Sequence, residues 1–167
     1  MKEAYIFDFD GILVNTMEGH FGAYRRALEE VNVPVDRDEF YRLAGKSGRE
    51  MITYFAAEAG VKVDAEAVYA RKGALWPEYT GSVTGIEANI ALLRCVRQAG
   101  HPNAIATGST PPSVGPIMDQ FQIEVDAVVT ADDLARRHPD PELFLPAAER
   151  LGVRPAPCPV LEHSVRG

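Results

Sequence analysis

The chain has 167 residues, 46% of them hydrophobic, enough to bury one good core and a small inserted domain. A net charge of −7 argues against the basic face that nucleic-acid phosphates require. Two cysteines, Cys95 and Cys158, have neither the number nor the spacing of a disulfide framework or a zinc site, so they read as small apolar residues of a reducing compartment. With no basic-then-apolar leader before the first strand and no apolar run of membrane-spanning length, a cytoplasmic protein without membrane contact is expected.

In chain order, the first strand is expected over Ala4 to Phe7, a short apolar run rich in β-formers. The pattern then turns helical from Thr16 to about Thr80. Phe21, Tyr24, Ala27 and Leu28 fall on one face of a helix that ends at "NVPVD". Asp36, Ser47 and Asp64 stand where N-caps belong for three further helices, "RDEFYRLAG", "GREMITYFAAEAG" and "AEAVYARKGALWPEY". Trp76 is expected in the core of this bundle. After the turn "TGSVTG" the rhythm changes to helix alternating with strand, as in parallel βαβ units. Ile86, Ile90, Leu93 and Val96 make a helix stripe, "NAIAT" a strand, "PPSVGPIMDQF" a helix and "DAVVT" a strand. "PELFLPAAERLG" is a helix stopped by Gly152, and "CPVLE" is the last strand. The fold class expected is α/β, a Rossmann-like parallel sheet built from residues 1–16 and 81–167, interrupted by a helical cap domain over 17–80.

The stretch "AYIFDFDGILVN" ends its apolar run on two carboxylates, Asp8 and Asp10. Side chains alternate along a strand, so both share one direction at the carboxyl edge, where open α/β sheets bind ligands. A calcium loop of the D-x-D-x-D-G kind is excluded, because Ile12 and Leu13 stand where an oxygen ligand and a glycine are needed. A plain surface turn is the remaining alternative for such a short motif. Three later features answer it. Thr107, Gly108 and Ser109 follow a strand and offer a hydroxyl and small residues whose N–H groups suit an oxyanion at the next helix's start. "HPDPELF" follows the next strand, and "VLEHS" closes the last.

With these four motifs in this order, the whole chain resembles the haloacid dehalogenase (HAD) superfamily, in the capped branch that holds β-phosphoglucomutase and small sugar-phosphate phosphatases. "DFDGILVNT" looks like the first motif, "ATGS" the second, "HPDPELFLPAAERLGV" the third and "VLEHS" the fourth. The resemblance implies that Asp8 is the nucleophile toward phosphorus, forming an aspartyl-phosphate. It makes Asp10 the acid for the leaving oxygen and then the base for water. A second aspartate at position 10 separates phosphoryl transfer from the dehalogenase branch. Thr107 is expected to bond the transferring phosphoryl group, with Gly11, Gly108 and Ser109 as further substrate-binding candidates. Magnesium is implied against the Asp8 carboxylate and Asp10 carbonyl, with Glu162 and His163 in the place of the fourth motif's acidic pair.

The chain also departs from the family. The third motif usually opens Gly-Lys-Pro; here Arg137, His138 and Pro139 stand there, so His138 replaces the lysine that holds Asp8 and phosphate, with Arg136 or Arg137 as possible substitutes. His163 replaces an oxygen ligand, which is expected to weaken magnesium and to favour manganese or another softer ion. Gly167 comes four residues later, where the family continues through another helix and strand. The expected consequences are an exposed edge strand, an uncovered part of the core face and self-association. In the cap, His20, Arg49 and Lys72 are candidates to bind the non-reacting end of a substrate, with a solvated helix position as the alternative for each. Thr110, where a basic residue would suit a mutase, tilts the reading toward hydrolysis. The function expected is a magnesium-dependent phosphatase of small phosphorylated metabolites, impaired by these changes. The alternatives are a phosphohexose mutase and a non-catalytic HAD-like binding protein.

Overall fold

The computed structural model describes residues 3–44, 46–133, 144–153 and 158–162. In chain order its elements are β1 (Tyr5–Phe7), β2 (Val14–Asn15), α1 (Met17–Glu29), α2 (Arg37–Arg42), α3 (Gly48–Glu58), α4 (Ala65–Leu75), β3 (Thr84–Gly85) and α5 (Glu87–Gln98). They continue with β4 (Asn103–Ala106), α6 (Pro111–Phe121), β5 (Ala127–Val129), α7 (Leu145–Arg150) and β6 (Val160–Leu161). The chain divides into two compact units, Met1–Asn15 with Thr84–Gly167, and Thr16–Val83.

The first unit is α/β. Its sheet runs β5-β4-β1-β6 with every pair parallel, registered by Ile6 opposite Ala104, Ala104 opposite Ala127, and Ile6 opposite Val160. Interior strands of such a sheet are covered on both faces, which is why β1 and, after Asn103, β4 read as apolar runs. On one face Ile6, Ala104, Ala106 and Val129 pack with Ala147 and Ala148 of α7, small residues that let helix and sheet approach closely. Asn103 begins β4 buried, its amide and side chain both donating to Asp126, whose N–H returns a bond to the Asn103 carbonyl. Helix α6 opens on Pro111 and Pro112, where the first-turn N–H groups have no helical partner to lose. It closes at Gln122 in the left-handed region, φ 51°.

The expected helix through Gly152 is shorter, Leu145–Arg150, with Gly152 past its end at φ +66°; residues 141–143 lie outside the described residues. A two-residue antiparallel ladder between β2 and β3 was not expected, since so short a pair carries no periodicity to read. It is tied further by Ile86 N–H donating to the Leu13 carbonyl at 2.8 Å.

The second unit is a four-helix bundle around Phe21, Tyr24, Leu28, Phe40, Ile52 and Phe55. All three expected N-caps are present. Asp36 accepts from Glu39 N–H at 2.8 Å, Asp64 accepts from Glu66 and Ala67, and Ser47 with Glu50 forms a reciprocal capping box. Helix α2 ends at Arg42 rather than Gly45, and α4 gives way at Trp76 to a 3-10 turn, Trp76–Glu78, because Pro77 has no N–H to continue the α-ladder. Gly48 opens α3 under aromatic crowding: a Cβ there would stand 2.1 Å from the Tyr24 hydroxyl and 2.4 Å from the Tyr69 ring. Among the described residues no helix is long and apolar enough to cross a membrane.

Candidate active site

Asp8 is the first residue beyond β1 and Glu162 the first beyond β6, and since Phe7 lies opposite Leu161 the two acids follow matching positions on adjacent strands. Asp8 is buried, 3% exposed. Its N–H donates to the Leu161 carbonyl at 2.9 Å, and its Oδ1 accepts from Phe9 N–H at 2.7 Å. The nucleophile candidate is therefore held by backbone on both sides.

The chain then turns sharply. The Phe9 carbonyl accepts from Leu13 and Val14 N–H at 3.0 and 3.2 Å, and Gly11 takes φ +80°, a conformation only glycine adopts without strain. Gly11 N–H donates to the Val14 carbonyl at 2.7 Å. This bond closes the turn. Half-buried Asp10 is presented by this turn, and its Oδ2 accepts two hydroxyl protons, from Ser109 at 2.7 Å and from Thr107 at 3.1 Å.

Thr107 is fully buried at the end of β4, its N–H in the sheet on the Val129 carbonyl. A hydroxyl has one proton to give. The Thr107 proton goes to Asp10. Ser109 N–H donates back to Thr107 Oγ1 at 3.0 Å, and Ala131 N–H to the Ser109 carbonyl at 2.9 Å. Gly108 is exposed, with nothing within 4 Å of where a Cβ would stand. Past β5 lies a network the sequence reading passed over. Asp133 accepts from Thr130 N–H at 2.9 Å and from the Thr130 hydroxyl, and pairs with Arg150. The Thr130 amide first, then the guanidinium, holds its carboxyl below the usual aspartate range.

His138 and His163 lie outside the described residues, as do Arg136, Arg137 and Pro139. Among the described residues no three His, Cys, Asp or Glu side chains gather as a metal cluster. The donors that the sequence assigns to an ion and that are described, Asp8, Asp10 and Glu162, are all oxygen donors, which suits a hard divalent cation.

The three cap candidates belong to the helical unit. Lys72 is buried, 6% exposed, which corrects the solvated alternative; its Nζ lies 3.0 Å from His20 Nδ1 and 5.0 Å from the ring centres of Tyr24 and Trp76. His20 stacks on Trp76, ring centroids 4.2 Å apart at 19°. Arg49 is engaged elsewhere: both its Nε and Nη2 meet the Glu66 carboxylate, and the guanidinium lies over the Tyr69 ring. The Glu66 partner keeps it protonated beyond the ordinary arginine range. Trp76, expected in the core, is buried.

The sequence profile of the haloacid dehalogenase-like hydrolases matches residues 5–162. The chain belongs to that family. This haloacid dehalogenase-like hydrolase is similar to β-phosphoglucomutase of Bacillus subtilis (strain 168), 30% identical over 173 residues that span 99% of this chain and 76% of the relative. It is 29% identical over 171 residues to the phosphorylated carbohydrates phosphatase of Thermotoga maritima, covering 99% of this chain and 78% of that one. Its fold matches the crystal structure of CbbY from Rhodobacter sphaeroides in complex with phosphate at a TM-score of 0.88, with 24% identity over 99% of this chain and 80% of that chain. That likeness concerns the α/β fold alone.

Proposed function

We propose that this hydrolase is a phosphatase of small phosphorylated metabolites, sugar phosphates foremost, acting in the cytoplasm through an aspartyl-phosphate on Asp8. The observation that carries the reading is the pair of carboxylates at the end of β1, one buried and backbone-held, the other facing the hydroxyls of the β4 loop. The names of the relatives from Bacillus subtilis and Thermotoga maritima supply the substrate class. In the first step an Asp8 oxygen bonds to phosphorus and the bond from phosphorus to the leaving oxygen breaks, while Asp10 gives that oxygen its proton. In the second, Asp10 takes a proton from water, whose oxygen attacks phosphorus, releasing inorganic phosphate and restoring Asp8. Magnesium, bound through Asp8, the Asp10 carbonyl and the fourth-motif residues Glu162 and His163, would supply charge neutralisation between carboxylate and phosphate.

His138 and His163 weaken both cation sources that this chemistry needs, so slow turnover with magnesium belongs to the same proposal, and manganese is expected to serve better. The test is phosphate release from a panel of sugar monophosphates, with Asp8→Asn as control; an Asp8→Asn variant at full rate overturns the covalent route. The Bacillus subtilis relative favours one other reading, a phosphohexose mutase. Isomer exchange dependent on a bisphosphate, without net phosphate release, would select it. Tight metabolite binding without turnover under any divalent ion would instead select a binding protein. Self-association belongs to the proposal too: β6 is an edge of the sheet among the described residues and Val160 on it is 40% exposed. Sedimentation across concentrations tests it, and a monomer throughout overturns it.

A further inference from the structure

We infer that Ser109 is a positioning residue for Asp10 rather than a substrate contact, an inference that rests on the phosphatase reading of the site. Sequence reasoning placed Ser109 among the groups facing substrate. The geometry points elsewhere. Its only hydroxyl proton is given to Asp10 Oδ2 at 2.7 Å, the shorter of the two hydroxyl bonds on that oxygen. Its backbone is fixed at both ends, the N–H on Thr107 Oγ1 at 3.0 Å and the carbonyl on Ala131 N–H at 2.9 Å. The hydroxyl therefore starts from a rigid base, while Asp10 sits on the turn that follows β1.

Thr107 shares this work, its hydroxyl donating to the same Asp10 oxygen at 3.1 Å. The chemical consequence is specific. As the bond from phosphorus to the leaving oxygen breaks, its electron pair stays on that oxygen and the Asp10 proton must arrive there. A misaligned acid hurts an alkoxide leaving group far more than a nitrophenolate, which departs without help.

The test measures kcat/KM of the parent, Ser109→Ala and Ser109→Thr on a sugar monophosphate and on p-nitrophenyl phosphate, with Asp10→Asn and the double variant beside them. Ser109→Ala should lose about tenfold or more on the sugar phosphate, in kcat with KM little changed, and no more than about threefold on the aryl ester. Ser109→Thr, which keeps the hydroxyl, should recover most of the loss, and Ser109→Ala should add nothing to Asp10→Asn. Equal losses on both substrates, a rise in KM alone, or losses that add to Asp10→Asn overturn this inference and leave the phosphatase reading intact. Absence of phosphate release from either substrate by the parent overturns both. If circular dichroism shows that the alanine variant is unfolded, Ser109→Cys, of similar size but a weak donor, carries the same comparison.

Discussion

The two units of this protein are held and used in different ways. In the helical unit the side chains that could carry chemistry are spent on each other: Arg37 on Glu18, Arg71 on Glu30, Arg49 on Glu66 and Arg26 on Glu78. Even buried Lys72 lies against His20 and two rings. Three helices begin on side-chain caps, so their starts are set by near neighbours in sequence, while ion pairs such as Arg26–Glu78 and Arg71–Glu30 tie one helix to another. In the α/β unit the helices α5 and α6 begin without side-chain caps, and the polar groups collect beyond strand ends, where residues nearly a hundred apart meet, as Asp10 and Ser109 do. Local capping thus starts the helices of one unit, long-range strand pairing builds the sheet of the other, and the candidate reactive groups Asp8 and Asp10 belong to the second.

Asp8→Asn should break the chemistry and nothing else. Phosphate release is expected to fall by at least about a thousandfold, with unchanged circular dichroism, because the change is isosteric at a site fixed by backbone. Ile52→Ala should do the reverse: Ile52 is fully buried in the helical core, and its truncation should cost about 2–5 kcal/mol. Trp76, the only tryptophan, reports that unit's urea transition by fluorescence.

Restoring the cations, His138→Lys with His163→Asp, should raise magnesium-dependent turnover about a hundredfold, roughly 3 kcal/mol of barrier. A folded double variant with no gain would remove the proposed cause of slow turnover. Asp64→Ala, which strips one cap from the helical unit, should cost only about 1 kcal/mol on the same fluorescence transition.

The smallest effect concerns acid. Glu39 is held down to about 2, first by the Arg42 guanidinium and then by the Tyr54 hydroxyl. Glu18 is lowered by Tyr41 and Arg37, and Glu30 by Arg71. Depressed carboxyls stabilise the fold above their ordinary value of 4.5 and lose that contribution as pH falls, for Glu39 through about 2. Glu18 and Glu30 are exposed and Glu39 is only half-buried, so the effect is modest. Trp76 fluorescence should show the helical unit loosening between pH 4.5 and 2, and Glu39→Gln should flatten part of that slope.

Much of this protein was legible before its structure. The helical stripe of Phe21, Tyr24 and Leu28, the caps Asp36, Ser47 and Asp64, and the parallel strands around "YIF" and "NAIA" follow from periodicity, capping chemistry and continuous apolar runs, all properties of short windows. The two aspartates and the "ATGS" loop could be picked out as a candidate reactive pair and its neighbour for the same reason: residue type and place at a strand end are written locally. What those groups do to each other was not. That Thr107 and Ser109 give their protons to Asp10, and that Lys72 is buried against His20, Tyr24 and Trp76, depend on which distant residues the fold brings within about 5 Å. A hydroxyl gives its single proton to whichever acceptor the fold brings nearest, and only the paired strands and packed helices decide which acceptor that is.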